Sequence, residues 1–251
     1  MSFADHVPAA RFTLPASALA VGVICWWSLV ALTSVPAYLL PSPVIVADNL
    51  IERHTIYTRN AWVTLRTAVG GGAVGSLFGF LAAVVVVHSS VLRRAVYPYL
   101  VAARVLPKIA VAPVLLIYLG TGGATALVFV SLVAFFPVFV ASAAGFEETP
   151  DSYLDLLDSV DAGPIRTLLF VRVPAALPAV FAGLKQATAL SVVGAVVAEW
   201  ILTDEGLGFL VLVASENVRP AAVLAAVVVL FAEGLALYGL VALLHRQVAW
   251  Q

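Results

Sequence analysis

Charged residues and cysteines are scarce in this chain, and each shortage excludes a class of protein. Only 11% of the 251 residues are Asp, Glu, Lys or Arg, whereas a soluble globular domain carries about 25%. The single cysteine, Cys25, allows neither an internal disulfide nor a cysteine-based metal site. The formal net charge of −1 and the lack of any basic run offer no surface for nucleic acid, so we expect no nucleic acid partner.

Motifs for catalysis and metal binding are also missing from the sequence. The four histidines are dispersed, and none belongs to an H-E-x-x-H or comparable ligand spacing. No serine lies in a G-x-S-x-G motif. The run GGGAVGS at residues 70–76 lacks the G-K-[ST] ending of a phosphate-binding loop, so it is expected to allow close helix packing instead. We expect no metal, no cofactor and no catalytic residue in this chain.

Apolar residues are abundant, at 63% of the chain, and they are grouped in long runs. A helix needs roughly 20 apolar residues to cross a bilayer core about 30 Å thick. The runs do not alternate as barrel strands do, so the sequence predicts an all-α, polytopic membrane protein with one transmembrane domain over residues 1–251. The first run is too long for the apolar region of a secretory signal and is interpreted as a retained membrane helix. Six runs are long enough, at approximately 15–35, 63–87, 96–119, 124–144, 183–202 and 221–244.

The distribution of Lys and Arg beside the runs predicts the orientation, because positive residues are retained on the cytoplasmic side. Both termini and the connection 146–182 are then expected in the cytoplasm. Seven basic residues lie at one set of ends, Arg11, Arg93, Arg94, Arg166, Arg172, Lys185 and Arg246, and four lie at the other, Arg53, Arg59, Arg66 and Arg219.

The connection 146–182 begins with a segment that has its own amphipathic pattern. The sequence FEETPDSYLDLLDSV predicts a short amphipathic helix opened by Thr149 and Pro150. The prolines of PAALP then mark the start of the fifth span. The helix is interpreted either as lying on the lipid headgroups or, preferably, as a socket for a cytoplasmic protein.

This connection resembles the cytoplasmic loop of permeases from bacterial ABC importers, whose pattern is E-A-A-x3-G-x9-I-x-L-P. With the register set at Pro174, the family glycine falls on Asp161 and the E-A-A triplet on residues 155–157. Only the acidic character of the first position is kept. Gly163 offers a flexible turn two residues later.

Further motifs narrow the resemblance to the branch that handles nitrate, sulfonates, taurine and thiamine-precursor pyrimidines. The motifs below occur in the family's order from about residue 40 to the C terminus, and this order supports the resemblance more than any single motif does. The matches are LPSP at 40–43, R-x-x-P with a later proline and glycine at Arg104, Pro107, Pro113 and Gly120, F-F-P at 135–137, an acidic residue before G-L-G at Glu199 and 206–208, and a terminal Arg246 and Trp250.

The resemblance implies the permease fold of type I ABC importers in the bacterial cytoplasmic membrane. It implies a homodimer, or a pair of related permeases, docked on a dimer of cytoplasmic ATPases that hold ATP and magnesium. An extracytoplasmic solute-binding protein would deliver the solute.

By the same resemblance, the short helix between the fourth and fifth spans is the coupling helix. Leu156 and Leu157 would fill a groove of the ATPase, and Asp155 and Asp158 would meet basic residues at its rim. Force from the ATPases would be transmitted through the segment from Tyr153 to Gly163, and the turn near Gly163 would set the angle of the coupling helix. Asp161 would occupy a left-handed turn, which aspartate tolerates better than most residues.

Two basic residues fall inside the predicted third span, where charge is costly and a functional role is the default hypothesis. Arg104 and Lys108 are four residues apart and would share one face of a helix bent by Pro107. They are interpreted as part of an anion-attracting pathway or a cytoplasmic gate. The alternative is that both side chains snorkel to the inner headgroups.

Two acidic residues complete the set of ionisable groups within spans. Glu233 lies near the middle of the last span, and Lys108 is its expected partner in a pair that fixes helix register or contacts substrate. Glu199 ends the fifth span near the outer face, and its family match favours a gate or pathway role over a solvated position among headgroups.

Together these observations predict an importer of a small polar solute, anionic or zwitterionic. The competing hypothesis is an ion-coupled secondary transporter, for which Glu199, Glu233 and Lys108 would carry the coupling. That hypothesis requires internal repeats, and the sequence shows none that is convincing. A membrane-embedded enzyme would require a catalytic cluster that the sequence does not display.

Overall fold

The computed structural model describes residues 10–33, 35–159 and 161–248, and these ranges are helical without any strand. The all-α prediction is confirmed for them. Trp250 and both chain ends, which carry part of the motif and orientation predictions, lie outside these ranges. The α-helices are α1 Ala10–Thr33, α2 Pro43–Glu52, α3 His54–His88, α4 Ser90–Ala95, α5 Tyr97–Ala102, α6 Ala112–Leu119, α7 Gly123–Glu147, α8 Asp151–Ser159, α9 Pro164–Thr167, α10 Val173–Ile201, α11 Leu207–Glu216 and α12 Pro220–Val248.

Helices α3, α7 and α10 make the most extensive contacts and form the centre of the bundle. Glycines allow α3 and α7 to approach closely: a Cβ at Gly71 would lie 2.6 Å from Cβ of Val130, and one at Gly75 would collide with the carbonyl of Ser131. Such contacts between small residues are the main way helices associate in lipid. The prediction that the glycine run serves packing is confirmed.

Four helices are long and apolar enough to cross a membrane: α3, α7, the continuous helix Pro164–Ile201 and α12. A fifth span exists if the bent pair Tyr97–Val105 and Lys108–Leu119 is counted as one. The first predicted span corresponds to α1, whose part Ser17–Thr33 is a shorter apolar helix. The described residues therefore give four or five candidate spans, and six remains a prediction.

The third predicted span, 96–119, is broken rather than continuous. Its two parts meet at 96°, and between them Leu106 and Pro107 are extended, with ψ of 130° and 95°. Proline removes a helical N–H and disfavours helical geometry at the residue before it. The expectation of a single helix bent by Pro107 is therefore wrong, because the helix ends there and restarts with the 3-10 turn Lys108–Val111.

The fifth predicted span begins earlier than expected. Helix is continuous over Pro164–Ile201, with a π-helical turn at Leu168–Arg172 directly before α10. Pro174 lies inside this continuous helix, directly after the π-helical turn, where the hydrogen-bond pattern already departs from that of an α-helix. Pro178 is accommodated inside the helix. The prolines of PAALP therefore do not separate a loop from the span.

Candidate functional site

The bundle has two ends that carry the sequence-predicted functional residues. We call one the α8 end, where α3 ends at His88, α7 ends at Glu147 and the helix leading into α10 begins. We call the other the α11 end, where α3 and α7 begin and α10 ends at Ile201.

Helix α8, Asp151–Ser159, is the short helix predicted between the fourth and fifth spans. Its side chain Tyr153 is 55% exposed and Leu156 is 62% exposed. These residues are three apart and therefore share one face of the helix. Leu157 is half-buried and Asp155 is exposed, whereas the side chain of Asp158 lies outside the described part. The structure thus presents apolar groups on a helix that is too short to span a membrane.

A left-handed turn ends α8. Asp161 has φ of 51°, and the next amide, Ala162 N–H, donates to the carbonyl of Leu157 at 2.9 Å. This six-to-one hydrogen bond around a left-handed residue is the Schellman arrangement that terminates helices. The predicted left-handed conformation of Asp161 is confirmed. Gly163 has φ of −62° and ψ of 158°, so the left-handed residue of the turn near it is Asp161 and not Gly163 itself.

Arg104 and Lys108 lie on opposite sides of the break in the third span, so they do not share a helix face as predicted. The Lys108 ammonium donates to the backbone carbonyl of Arg104 at 3.3 Å. It also lies 5.3 Å from the centroid of the Phe136 ring, within the range of a cation–π interaction. The Arg104 side chain is exposed.

Lys108 does not pair with Glu233. Among the side chains that the structure describes, the one salt bridge joins Arg93 to Glu147 at 2.9 Å. Glu233 is half-buried on α12. The break at Pro107 turns Lys108 toward Phe136 instead, which explains why the expected pair is not formed.

At the α11 end, three side chains cap the first turn of α11, and we call them the cap cluster. Asn60 Oδ1 accepts from Gly206 N–H at 2.9 Å, and Thr64 Oγ1 accepts from Leu207 N–H at 2.8 Å. Glu199 Oε2 accepts from Gly208 N–H at 2.7 Å. The first amides of a helix have no partner within it. The cap cluster, drawn from α3 and α10, supplies those partners.

Glu199 is fully buried, with 0% of its surface exposed. The alternative of a solvated position among headgroups is therefore wrong. Its other carboxylate oxygen, Oε1, has no hydrogen-bond partner among the described residues. Gly206 has φ of 107° and a Cβ there would collide with the Glu199 carboxylate, so the chain needs glycine beside this group. The close contact of both G-L-G glycines with Glu199, or with the helix that carries it, thus explains why neither position has room for a side chain.

Asn60 and Thr64 were not predicted as functional residues. They lie in the polar beginning of α3, and their partners in the chain are 146 and 143 residues away. No local pattern marks such a pairing. The only signal in the sequence is that two polar residues lie four positions apart on a helix otherwise rich in apolar side chains.

Several apolar helices long enough to span a bilayer, with a short exposed amphipathic helix between two of them, define a multi-pass membrane protein. Residues 75–250 match the family described as "Binding-protein-dependent transport system inner membrane component". The chain belongs to this family, and the predicted resemblance to permeases of ABC importers is confirmed.

Individual relatives agree with this assignment. The chain is 35% identical over 237 residues to a "Probable ABC transporter permease protein" of Haemophilus influenzae, covering 94% of this chain and 97% of that one. It is 32% identical over 186 residues to the formylaminopyrimidine transport permease protein ThiX of Halalkalibacterium halodurans, covering 73% of this chain and 74% of the relative.

A solved structure confirms the fold. The crystal structure of an amino acid ABC transporter matches with a TM-score of 0.66 at 14% identity, covering 79% of this chain and 97% of that chain. At this identity the likeness establishes the helical arrangement and leaves the solute open. The family gives no support to the competing ion-coupled secondary transporter.

Proposed function

We propose that this chain is the membrane permease subunit of an ABC importer and that α8 is the helix through which the ATPases drive it. The exposed apolar pair on α8, Tyr153 and Leu156, carries this proposal. Apolar side chains that face water on a short polar helix are typical of a contact with another protein. ATP and magnesium would be bound by the partner ATPase dimer and not by this chain.

The connection of α8 to the fifth span suggests how α8 would transmit force. Leu157 is half-buried, while the more exposed Tyr153 and Leu156 would enter an ATPase groove. Asp155, and Asp158 next to it in sequence, would meet basic residues at the rim of that groove. The Asp161 turn then connects α8 to the continuous helix Pro164–Ile201, so a displacement of α8 would move α10 directly.

The α11 end would form the opposite gate. The cap cluster ties α11 to α3 and α10, so α11 would move together with the central helices when α8 is displaced. Glu199 acts in this proposal as a positioning residue for the gate. Arg104 and Lys108 beside the break, and Glu233 on α12, would line or approach the pathway. A second permease copy, most simply an identical one, would complete it.

The proposed orientation places α8 and both termini in the cytoplasm. The α8 end carries Arg93, Arg94, Arg166 and Arg172, which fits the retention of positive residues on that side. The α11 end would then face the extracytoplasmic solute-binding protein. The solute would be small and polar, anionic or zwitterionic, such as a sulfonate, nitrate or a pyrimidine precursor; the ThiX relative supports the last class.

Co-purification in mild detergent tests the docking proposal. Tagged wild type is compared with a Tyr153→Asp, Leu156→Asp double variant, with bound proteins identified by mass spectrometry. Val218→Asp is the matched control, because Val218 is 71% exposed at the opposite end. We expect wild type and control to retain an ATPase and the α8 variant to lose at least nine-tenths of it, since an acidic group cannot enter an apolar groove.

Two outcomes would overturn the proposal. If the α8 variant retains the ATPase as well as wild type does, docking does not use this face. If wild type carries no ATPase but transports solute into proteoliposomes under an ion gradient, the secondary transporter replaces the importer.

A further inference from the structure

A cleft of about 670 Å³ opens at the α8 end and has no part in the proposed coupling or transport. Its walls come from the end of α3, from α4 and α5, from the end of α7 and from the π-helical turn before α10. Three arginines line it, Arg93, Arg94 and Arg172, and a single carboxylate, Glu147, faces them. We call it the arginine cleft.

The positive charge of the cleft is only partly compensated. Arg93 is held by Glu147 at 2.9 Å. No described carboxylate lies within ion-pair distance of Arg94 or Arg172. Two guanidinium groups, each with several N–H donors in a planar fork, are therefore available to an anion.

His88 holds one of these groups against the cleft wall. The His88 Nδ1 lies 2.8 Å from the carbonyl of Val84, so this nitrogen carries the proton and Nε2 is the acceptor. The Arg172 guanidinium is 3.4 Å from that Nε2. Because this contact uses one nitrogen of Arg172, its remaining donors stay free for a ligand.

The position of the cleft favours a lipid as the source of the anion. The membrane-spanning helices α3 and α7 both end in it, and Tyr97, which lines it, begins the bent span. Besides Tyr97, the largely buried Val87 contributes an apolar side chain to the wall beside the arginines. Cationic pockets between helices at the membrane boundary suit phospholipid headgroups, and guanidinium groups bind phosphate oxygens in pairs.

We propose that the arginine cleft binds the phosphate of an anionic phospholipid. The phosphate takes donors from Arg94 and Arg172, and the hydrocarbon chains continue past Tyr97 into the bilayer. The bound lipid links α4 to the π-helical turn before α10. Free inorganic phosphate offers the same oxygen chemistry, so the experiment includes it as a separate arm.

The test uses full-length protein, stripped of lipid in detergent and titrated with phosphatidylglycerol or phosphatidylcholine under native mass spectrometry. Wild type is compared with Arg94→Gln, Arg172→Gln, which keeps the Arg93–Glu147 pair. The matched control is Arg53→Gln, Arg219→Gln, which removes the same charge from two exposed arginines at the α11 end. We expect the cleft variant to lose about tenfold in phosphatidylglycerol affinity and the control to match wild type.

Further arms separate the remaining explanations. Equal unfolding midpoints of the three proteins without lipid show that the variant is folded, and Arg94→Lys, Arg172→Lys should keep part of the preference because the charge remains. The proposal fails if cleft and control variants lose affinity equally, or if inorganic phosphate binds the stripped protein at the cleft and phosphatidylglycerol does not. It also fails if the cleft variant keeps its lipid affinity but loses the ATPase, which would make the cleft a protein contact.

Discussion

The two ends of the helical bundle present their polar and apolar groups in opposite ways. At the α11 end, Thr64 and Glu199 are fully buried and hydrogen-bonded to backbone amides. At the α8 end, Tyr153 and Leu156 are exposed and the arginine cleft is open. Buried, hydrogen-bonded polar groups fix one arrangement, because breaking it leaves them unsatisfied. Exposed apolar groups instead leave surface to be buried by another molecule.

The glycines of the two ends show the same contrast. Gly206 at the α11 end has φ of 107° and no room for a side chain, whereas nothing lies within 4 Å of a Cβ placed on Gly163 at the α8 end. The α11 end is therefore expected to be intolerant of added atoms and the α8 end tolerant of them. Substitutions that exchange these properties test the comparison directly.

Gly206→Ala should have the largest effect. The new methyl group requires a strained φ and displaces the Glu199 carboxylate, at a combined cost of about 3 kcal/mol. The thermal unfolding midpoint in detergent should fall by roughly 6–12 °C. Gly163→Ala is the control, and it should leave the midpoint unchanged or raise it slightly by restricting the unfolded chain. Equal midpoints for the two variants would show that the α11 end is not more tightly packed.

Glu199→Ala should have the next largest effect. The substitution leaves the buried Gly208 amide without its acceptor, which costs about 1–3 kcal/mol. Glu199→Gln keeps the size of the side chain and one amide oxygen as an acceptor, so it should retain most of the stability. Unfolding midpoints of both variants check this. If Ala and Gln lower the midpoint equally, the cap hydrogen bond is not the source of the stability.

Local features of the fold could be predicted from the sequence. The length of the apolar runs identified α3, α7 and α12, and the amphipathic pattern identified α8. The resemblance aligned Asp161 with the family glycine, and aspartate is among the few residue types that accept the left-handed turn expected there. Each of these properties is set by residues close together in the chain.

Features that depend on distant residues could not be predicted. The amide of Gly206 finds its acceptor on Asn60, 146 residues earlier, and no periodicity encodes such a pairing. The prolines show a second limit. Pro107 breaks its span, whereas Pro174 lies within the continuous helix Pro164–Ile201, directly after its π-helical turn. The difference depends on whether the backbone before the proline adopts another hydrogen-bond pattern, as the π-helical turn does, and no short sequence pattern reveals this.

Val218→Gly should change stability less than Gly206→Ala and Glu199→Ala do, and it should raise the stability rather than lower it. Val218 follows α11 with φ of 50°, and the next amide, Arg219 N–H, donates to the Ala214 carbonyl at 2.9 Å. This is the same helix ending that Asp161 forms after α8, but with a β-branched residue that pays a steric penalty there. Glycine removes the penalty, so the unfolding midpoint should rise by an amount equivalent to about 1 kcal/mol. Asp161→Gly is the matched comparison and should change stability by less than about 0.5 kcal/mol, because aspartate already tolerates the conformation. A larger gain at Asp161 than at Val218 would mean that the α8 end, and not the α11 end, carries the strained turn.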